Sequence, residues 1–204
     1  MMTRRSFVNT GVIGLGRMGR VHAHGYNKIP LVNLKAVCDA DAGRLAEVSG
    51  KFGAKGYADF NEMLADPSIE AVSICLPDNM HKECIIKAVE AGKHILCEKP
   101  LVNNLADALY LEKFLTGYDK VFMVGYCLRY DGQRAALRDR LRNGDFGDVI
   151  YICNRRNSPL IGPMHYAGYS DLADHVMIHD IDYINWLLGS KPNKVYAKSR
   201  SVIL

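Results

Sequence analysis

No apolar run in the chain approaches the roughly 20 residues needed to cross a bilayer core, so a membrane-spanning helix is not expected. No Cys-x-x-Cys pair occurs among Cys38, Cys75, Cys84, Cys97, Cys127 and Cys153. Cys and His are nowhere clustered at ligand spacing, so a structural zinc centre lacks its ligands. Most of the cysteines sit in or beside apolar runs, the pattern of buried, reduced thiols in a cytoplasmic protein. Basic stripes with interleaved aromatics are missing too. The formal net charge is only +4, and Lys and Arg are scattered among Asp and Glu, so no nucleic-acid partner is indicated. There is no internal repeat and no low-complexity segment. What remains is 204 residues, 49% hydrophobic and 24% charged. That is an ordinary globular composition, long enough for one large domain or one plus part of another.

One motif near the start is set aside. Thr3-Arg4-Arg5-Ser6-Phe7-Val8 has the form of a twin-arginine export core. The segment behind it, however, reads as the first strand of a nucleotide fold rather than a separate apolar region with a cleavage site. The arginines read as a solvated N-terminus.

The informative stretch is Gly14-Leu15-Gly16-Arg17-Met18-Gly19. An apolar run from Phe7 to Ile13 leads into it, and Met18, Val21, His22 and Gly25 follow at helical spacing. This is the strand–turn–helix setting of the dinucleotide fingerprint. Gly14 permits the tight turn, Gly16 lets backbone approach a pyrophosphate, and Gly19 lets the helix pack against the strand. The helix N-terminus then offers N–H groups and positive potential to the phosphates. Twenty residues on, Asp39 ends a second apolar run, Leu31 to Cys38. An acid there can accept hydrogen bonds from both adenosine ribose hydroxyls and would repel a 2′-phosphate, which favours NAD over NADP. The plain alternative is that Asp39 only caps the following helix.

The rest of the chain continues the rhythm. Helices are expected over Arg17–Lys28, Ala42–Phe52, Phe60–Ala65 (capped by Asp59 with Glu62 as its box partner), His81–Ala91 and Leu105–Leu115. Strands are expected over 54–58, 71–76, 94–97 and 121–126. Alternation with short turns predicts an open parallel α/β sheet with helices on both faces. The glycine loop, Asp39, Pro77 and Glu98-Lys99-Pro100 all fall at strand carboxyl ends, where such sheets bind ligands. A second unit begins near Cys127: a helix over Gly132–Asn143, a strand over 149–154, a loop over 155–170, a helix over Leu172–Leu188 and a strand from Lys194 to Leu204. The expected division is residues 1–126 and 127–204. The second unit, ending inside a strand pattern, reads as cut short.

Gly14 to Gly19 with His22, Pro77 with His81 four residues on, Glu98-Lys99-Pro100, and His179-Asp180-x-Asp182 together resemble the Gfo/Idh/MocA oxidoreductase family. The Glu-Lys-Pro motif is the most specific part, and the likeness runs over essentially the whole chain. It implies an N-terminal Rossmann-type domain followed by an α/β substrate domain with an open, largely antiparallel sheet, here incomplete, which often forms the homo-oligomer interface. It also implies an NAD-dependent dehydrogenase acting on a secondary alcohol of a sugar, sugar derivative or cyclitol. Pro77, His81 and Glu98 would frame the cofactor. Lys99 would stand between nicotinamide and substrate, its pKa lowered by crowding with positive charge and by burial; outside this motif it would read as a surface lysine beside Glu98. His179 would be the acid/base; the plain alternative is a helix-face histidine satisfied by Asp182.

Many relatives carry Asp one helical turn before this His. Here the position is His175, and the nearest acid is Asp174. His175 and His179 at i, i+4 share a helix face. The pair reads as a relay or substrate contact, as a sign that alcohol dehydrogenation is lost, or as an HxxxH metal pair lacking a third ligand. A non-catalytic NAD-binding protein and an imine or enone reductase are the corresponding alternatives. Arg155, Arg156, Asn157, His165, Tyr166 and Tyr169 give the 155–169 loop a density of donors and aromatics that suits a polyol or sugar; the plain alternative is an ordinary polar loop.

Overall fold

The computed structural model describes residues 7–157 and 173–200. Its strands are β1 (Val8–Ile13), β2 (Val32–Cys38), β3 (Lys55–Tyr57), β4 (Ala71–Ile74), β5 (His94–Cys97) and β6 (Phe122–Val124). They form one sheet in the order β3-β2-β1-β4-β5-β6, and every neighbouring pair is parallel. Strand order reverses at β1, which pairs with β2 on one side and β4 on the other. The switch point of a Rossmann-type sheet lies there, between the carboxyl ends of β1 and β4.

Five helices connect the strands: α1 (Arg17–Tyr26), α2 (Ala42–Phe52), α3 (Phe60–Leu64), α4 (His81–Glu90) and α5 (Leu105–Phe114). Successive strand residues face opposite sides. Val12 and Ile13 are therefore on opposite faces, and both are fully buried. Val12 packs with Leu15, Ala23, Leu34, Val37 and Val48 under α1 and α2. Ile13 packs with Met63, Ile74, Ile85, Ile95 and Leu111 under α3, α4 and α5. Burial on both faces is why these strands read as continuous apolar runs. Each fully buried Ile or Leu contributes about 1.5–3 kcal/mol.

Helix starts follow local chemistry. Asp41 caps α2 by accepting from Arg44 N at 2.8 Å, and Asn104 caps α5 by accepting from Asp107 N at 2.9 Å. Asp59 caps α3, but through Asn61 N at 2.9 Å rather than through a box with Glu62.

After β6 the chain makes a short 3₁₀ turn, Cys127–Tyr130, and enters α6 (Gly132–Arg142). A π turn, Ala173–Met177, opens α7 (Ile178–Leu188). Arg138 lies over the Trp186 ring at 4.4 Å and Arg134 over Tyr183 at 5.6 Å, so cation–π contacts join α6 to α7.

Two expected strands are not formed. Residues 149–154 and 194–200 have no regular structure; residues 201–204 lie outside the described range. A strand needs a partner edge for its backbone groups. None is offered to these segments among the described residues, and Ile150 and Tyr196 are 97% and 89% exposed. The expected 155–170 loop is described only as far as Asn157, so His165, Tyr166 and Tyr169 lie outside the described range, as do Arg4 and Arg5. All six cysteines are free thiols; Cys38, Cys84 and Cys97 are buried, but Cys127 and Cys153 are exposed, contrary to a wholly buried set. No helix among the described residues is long and apolar enough to cross a membrane.

Candidate active site

The glycine loop is shaped by two tight contacts. Gly14 has φ +86°, a left-handed conformation, and a Cβ there would lie 2.7 Å from Cys75 O. Its N–H donates to Cys38 O at 2.8 Å, tying the β1 turn to β2. At Gly19 a Cβ would lie 1.7 Å from Gly14 O, so only glycine lets α1 start this close to the strand. Gly16 faces open space, with nothing within 4 Å of its would-be Cβ. Arg17 and Met18 begin α1 and are exposed beside it. A backbone cradle closed behind and open in front fits a pyrophosphate at a helix N-terminus.

Asp39 follows β2 and is 8% exposed. It does not cap α2; Asp41 does. Instead its Oδ2 accepts from Leu15 N at 2.7 Å. Its Oδ1 accepts from Asp41 N at 2.8 Å and from Arg44 at 3.1 and 3.3 Å. The acid is thus fixed against the glycine loop, where an adenosine ribose would meet it.

The other side of the crevice is built from β4, β5 and α1. His22 Nε2 lies 2.9 Å from Glu98 Oε1, and His22 Nδ1 lies 3.0 Å from Ser73 Oγ. Tyr26 Oη lies 2.5 Å from the same Ser73 Oγ. An ionised carboxylate only accepts. His22 therefore donates through Nε2–H to Glu98, and the chain continues from its Nδ1 through the hydroxyls of Ser73 and Tyr26. Burial pushes the Glu98 carboxyl up, but His22, Lys99 N and the Lys99 charge outweigh it and leave it below the usual carboxylate range.

Lys99 comes next, joined to Pro100 by a cis peptide bond. Its Nζ donates to His175 O at 3.3 Å, bringing the β5 end against the π turn before α7. Burial lowers its pKa, opposed by Glu98, Cys127 and Asp78. His179, on the first turn of α7, is held below the ordinary histidine value by burial and by the positive charges of Lys99 and Arg156. Its Nδ1 is buried and makes no hydrogen bond among the described residues. His175 is lowered too, by burial and by Lys99. The charge of Lys99 thus acts on both His175 and His179. The i, i+4 face is not that of a regular α-helix, because His175 sits in the π turn. Among the described residues no group of three His, Cys, Asp or Glu could hold a metal.

Two carboxylates of α7 are occupied by arginines. Asp182 takes both arms of Arg129, and Asp180 takes both arms of Arg156 at 2.7 and 2.6 Å. Both act in ion pairs, so neither offers itself to His179. Arg155, Arg156 and Asn157 line a polar hollow of about 280 Å³ together with Arg134, Asp180 and Tyr183.

Two further residues follow β4. His81 is only 1% exposed. Its Nδ1 faces Pro100 O at 2.9 Å and its Nε2 faces Leu76 O at 2.9 Å. It straps the loop after β4, which carries Pro77, to the loop after β5. Its ring is committed to the two loops that frame the crevice, not to the crevice itself. Asp78 was not singled out from the sequence. It is 8% exposed, its Oδ1 has no hydrogen-bond partner among the described residues, and its charge acts on Lys99 and His175. The readable signal was an acid directly after a proline at a strand carboxyl end.

A family model described as "Oxidoreductase family, NAD-binding Rossmann fold" matches residues 8–126. A myo-inositol 2-dehydrogenase of Thermotoga maritima is 35% identical over 191 residues, covering 92% of this chain and 57% of that protein. An inositol 2-dehydrogenase of Leifsonia xyli is 30% identical over 199 residues, covering 97% of this chain and 58% of the relative. Among solved structures, scyllo-inositol dehydrogenase from Lactobacillus casei with bound NAD(H) and scyllo-inositol superposes with a TM-score of 0.85 at 27% identity, over 90% of this chain and 57% of that one. The chain spans a little over half the length of these relatives. With the glycine cradle, the placed acid and the Glu-Lys-Pro turn in one sheet of Rossmann order, the chain belongs to the Gfo/Idh/MocA family of NAD-binding, Rossmann-fold oxidoreductases.

Proposed function

We propose that the protein containing this chain is an NAD-dependent dehydrogenase that oxidises a secondary alcohol of a cyclitol or a related sugar. The observation that carries this reading is the seating of Lys99. Its partly buried ammonium ends the strand beside the switch point, with Glu98 behind it and His175 and His179 around it. The names of the relatives, inositol dehydrogenases, supply the substrate class.

In this reading the bound nicotinamide supplies the hydride acceptor. The residues do the rest. Gly14 to Gly19 and Asp39 hold the dinucleotide; Glu98, fixed by His22, sets the turn that presents Lys99. Lys99 Nζ donates to the reacting hydroxyl oxygen and orients it. His179 takes the hydroxyl proton at an imidazole nitrogen as the carbon gives up its hydride, and returns it to solvent. Such a positioned base contributes about 10²–10⁴-fold. Asp78 Oδ1 accepts from a ligand hydroxyl, which satisfies an otherwise orphaned buried oxygen. Residues 127–204 are read as the opening of the substrate domain, through whose sheet a homo-oligomer forms, and the reduced thiols fit a cytoplasmic location.

The test is NADH formation with NAD and a panel of inositol stereoisomers, levoglucosan-type anhydrosugars and aldoses. Turnover with at least one cyclitol is expected. NAD binding without turnover on any alcohol would contradict the dehydrogenase reading and leave the non-catalytic one.

A further inference from the structure

The hollow beside α7 has an excess of positive charge. Arg134, Arg155 and Arg156 line it against a single carboxylate, Asp180. That carboxylate is already taken. It accepts from Arg156 Nε and Nη2 at 2.7 and 2.6 Å and from the Asn154 side chain. Arg134 is held in place by Asp131 Oδ1 at 3.4 Å and by the face of the Tyr183 ring. Arg155 makes no hydrogen bond or ion pair among the described residues. One planar fork of donors is therefore unpartnered in a lining where cations outnumber anions.

A neutral hydroxyl both donates and accepts. This lining is rich in donors, and its one carboxylate is spent. A group that only accepts, and carries negative charge, suits it better: a carboxylate or a phosphate, which an arginine fork grips bidentately. A hollow of about 280 Å³ holds such a group together with the ring carbons that carry it. It also adjoins the residues assigned to the reaction. Asp180 stands next to His179 at the start of α7, and the charge of Arg156 acts on His179. Cys127 is within electrostatic reach of both Arg156 and Lys99.

We propose that this hollow seats an anionic substituent of the substrate, with Arg155 as its specificity-determining residue, so that the alcohol oxidised belongs to a sugar acid or to a sugar or cyclitol phosphate. This rests on the dehydrogenase reading and narrows its substrate class. The ring presents its reacting hydroxyl to Lys99 and His179, and its acidic group to Arg155 and Arg134.

The test compares matched substrates with NAD in the purified protein: glucose with glucuronate, galactose with galacturonate, and myo-inositol with an inositol monophosphate. The first two pairs read a carboxylate and the third a phosphate. In the wild type, kcat/KM for the acid should exceed that for its neutral partner by about tenfold or more in at least one pair, the worth of a charge-assisted contact. Arg155→Ala should reduce that ratio by about tenfold, mainly through KM, and Arg155→Lys should lie between. Rising salt should weaken the acid more than its neutral partner. The pH profile gives a further sign. A bound anion offsets the positive charge that holds His179 down, so the acid limb of kcat should lie at higher pH with the acid than with its neutral partner. Neutral partners used as well as the acids in every pair, or an acid-to-neutral ratio unchanged in Arg155→Ala, would overturn the anion site and leave the dehydrogenase reading standing. If no compound is turned over, the dehydrogenase reading falls, and calorimetric titration of glucuronate and inositol monophosphate into the NAD-loaded protein decides the site alone. Binding that Arg155→Ala loses supports it; no binding by the wild type overturns it.

Discussion

Nε2 of His22 and Oε1 of Glu98 lie 2.9 Å apart, joining the first helix of the sheet to the end of its fifth strand. Glu98 Oε2 accepts from Lys99 N at 3.2 Å in turn. On the proposed reading, a positively charged nicotinamide in this crevice would meet a fixed carboxylate, whereas the reduced ring would be neutral. Glu98→Gln should therefore weaken NAD binding by about 3–10-fold, the worth of one partly buried charge, and leave NADH binding nearly unchanged. Titration of both forms by fluorescence quenching checks this. Equal losses would mean that Glu98 acts only through packing.

Gly19 and Gly16 lie in one loop and should respond differently. A methyl group at Gly19 would sit 1.7 Å from Gly14 O, so Gly19→Ala must push α1 off the sheet. The expected cost is about 3 kcal/mol, lowering Tm by roughly 6–12 °C. Gly16→Ala meets nothing within 4 Å and should keep the wild-type Tm while losing NAD affinity. Thermal melts with and without NAD separate the two. A large drop in Tm for Gly16→Ala would contradict the open cradle.

His179 acts as a base only when neutral, so oxidation should rise as pH rises through its pKa. Burial and the charges of Lys99 and Arg156 place that pKa below the ordinary 6.5. The acid limb of kcat/KM should accordingly have its midpoint below 6.5 and be flat at neutral pH, and His179→Asn should abolish the limb along with most of the activity. A midpoint above 6.5 would contradict the assignment.

Lys99→Met keeps a long apolar stem and removes the ammonium. Alcohol oxidation should fall about 10²–10⁴-fold in kcat, with NADH binding little changed. A variant that keeps its activity would remove Lys99 from the chemistry.

Much of this architecture was legible because each strand of a doubly covered sheet must be apolar along its length, and each turn must be punctuated. Runs such as Val12–Ile13 and Val72–Ile74, closed by glycine, proline or an acid, show the alternation directly. The strands expected at 149–154 and, over its described part, 194–200 failed for the converse reason. Side-chain alternation fixes which face a strand presents, but not whether a partner edge exists. The site was legible where local spacing carries it, at the glycine loop, Asp39 and Glu98-Lys99-Pro100. It was hidden where it depends on contacts far apart in sequence. Arg129 meets Asp182 across 53 residues, and His22 meets Glu98 across 76. His81, four residues after Pro77, looks like a cofactor contact in sequence; only the two carbonyls around its ring make it a strap. The π turn at Ala173–Met177 likewise alters the face shared by His175 and His179 without any breaker residue to announce it.

The most direct test of hydride transfer at this site uses carbon-deuterated inositol with unlabelled NAD. The cofactor is recovered after reaction and its nicotinamide C4 examined by NMR. Deuterium at C4 from the wild type, appearing about 10²–10⁴-fold more slowly in Lys99→Met under the same conditions, is the expected result. NAD that stays bound but carries no label, with the inositol recovered intact, would contradict a dehydrogenase built on Lys99 and His179.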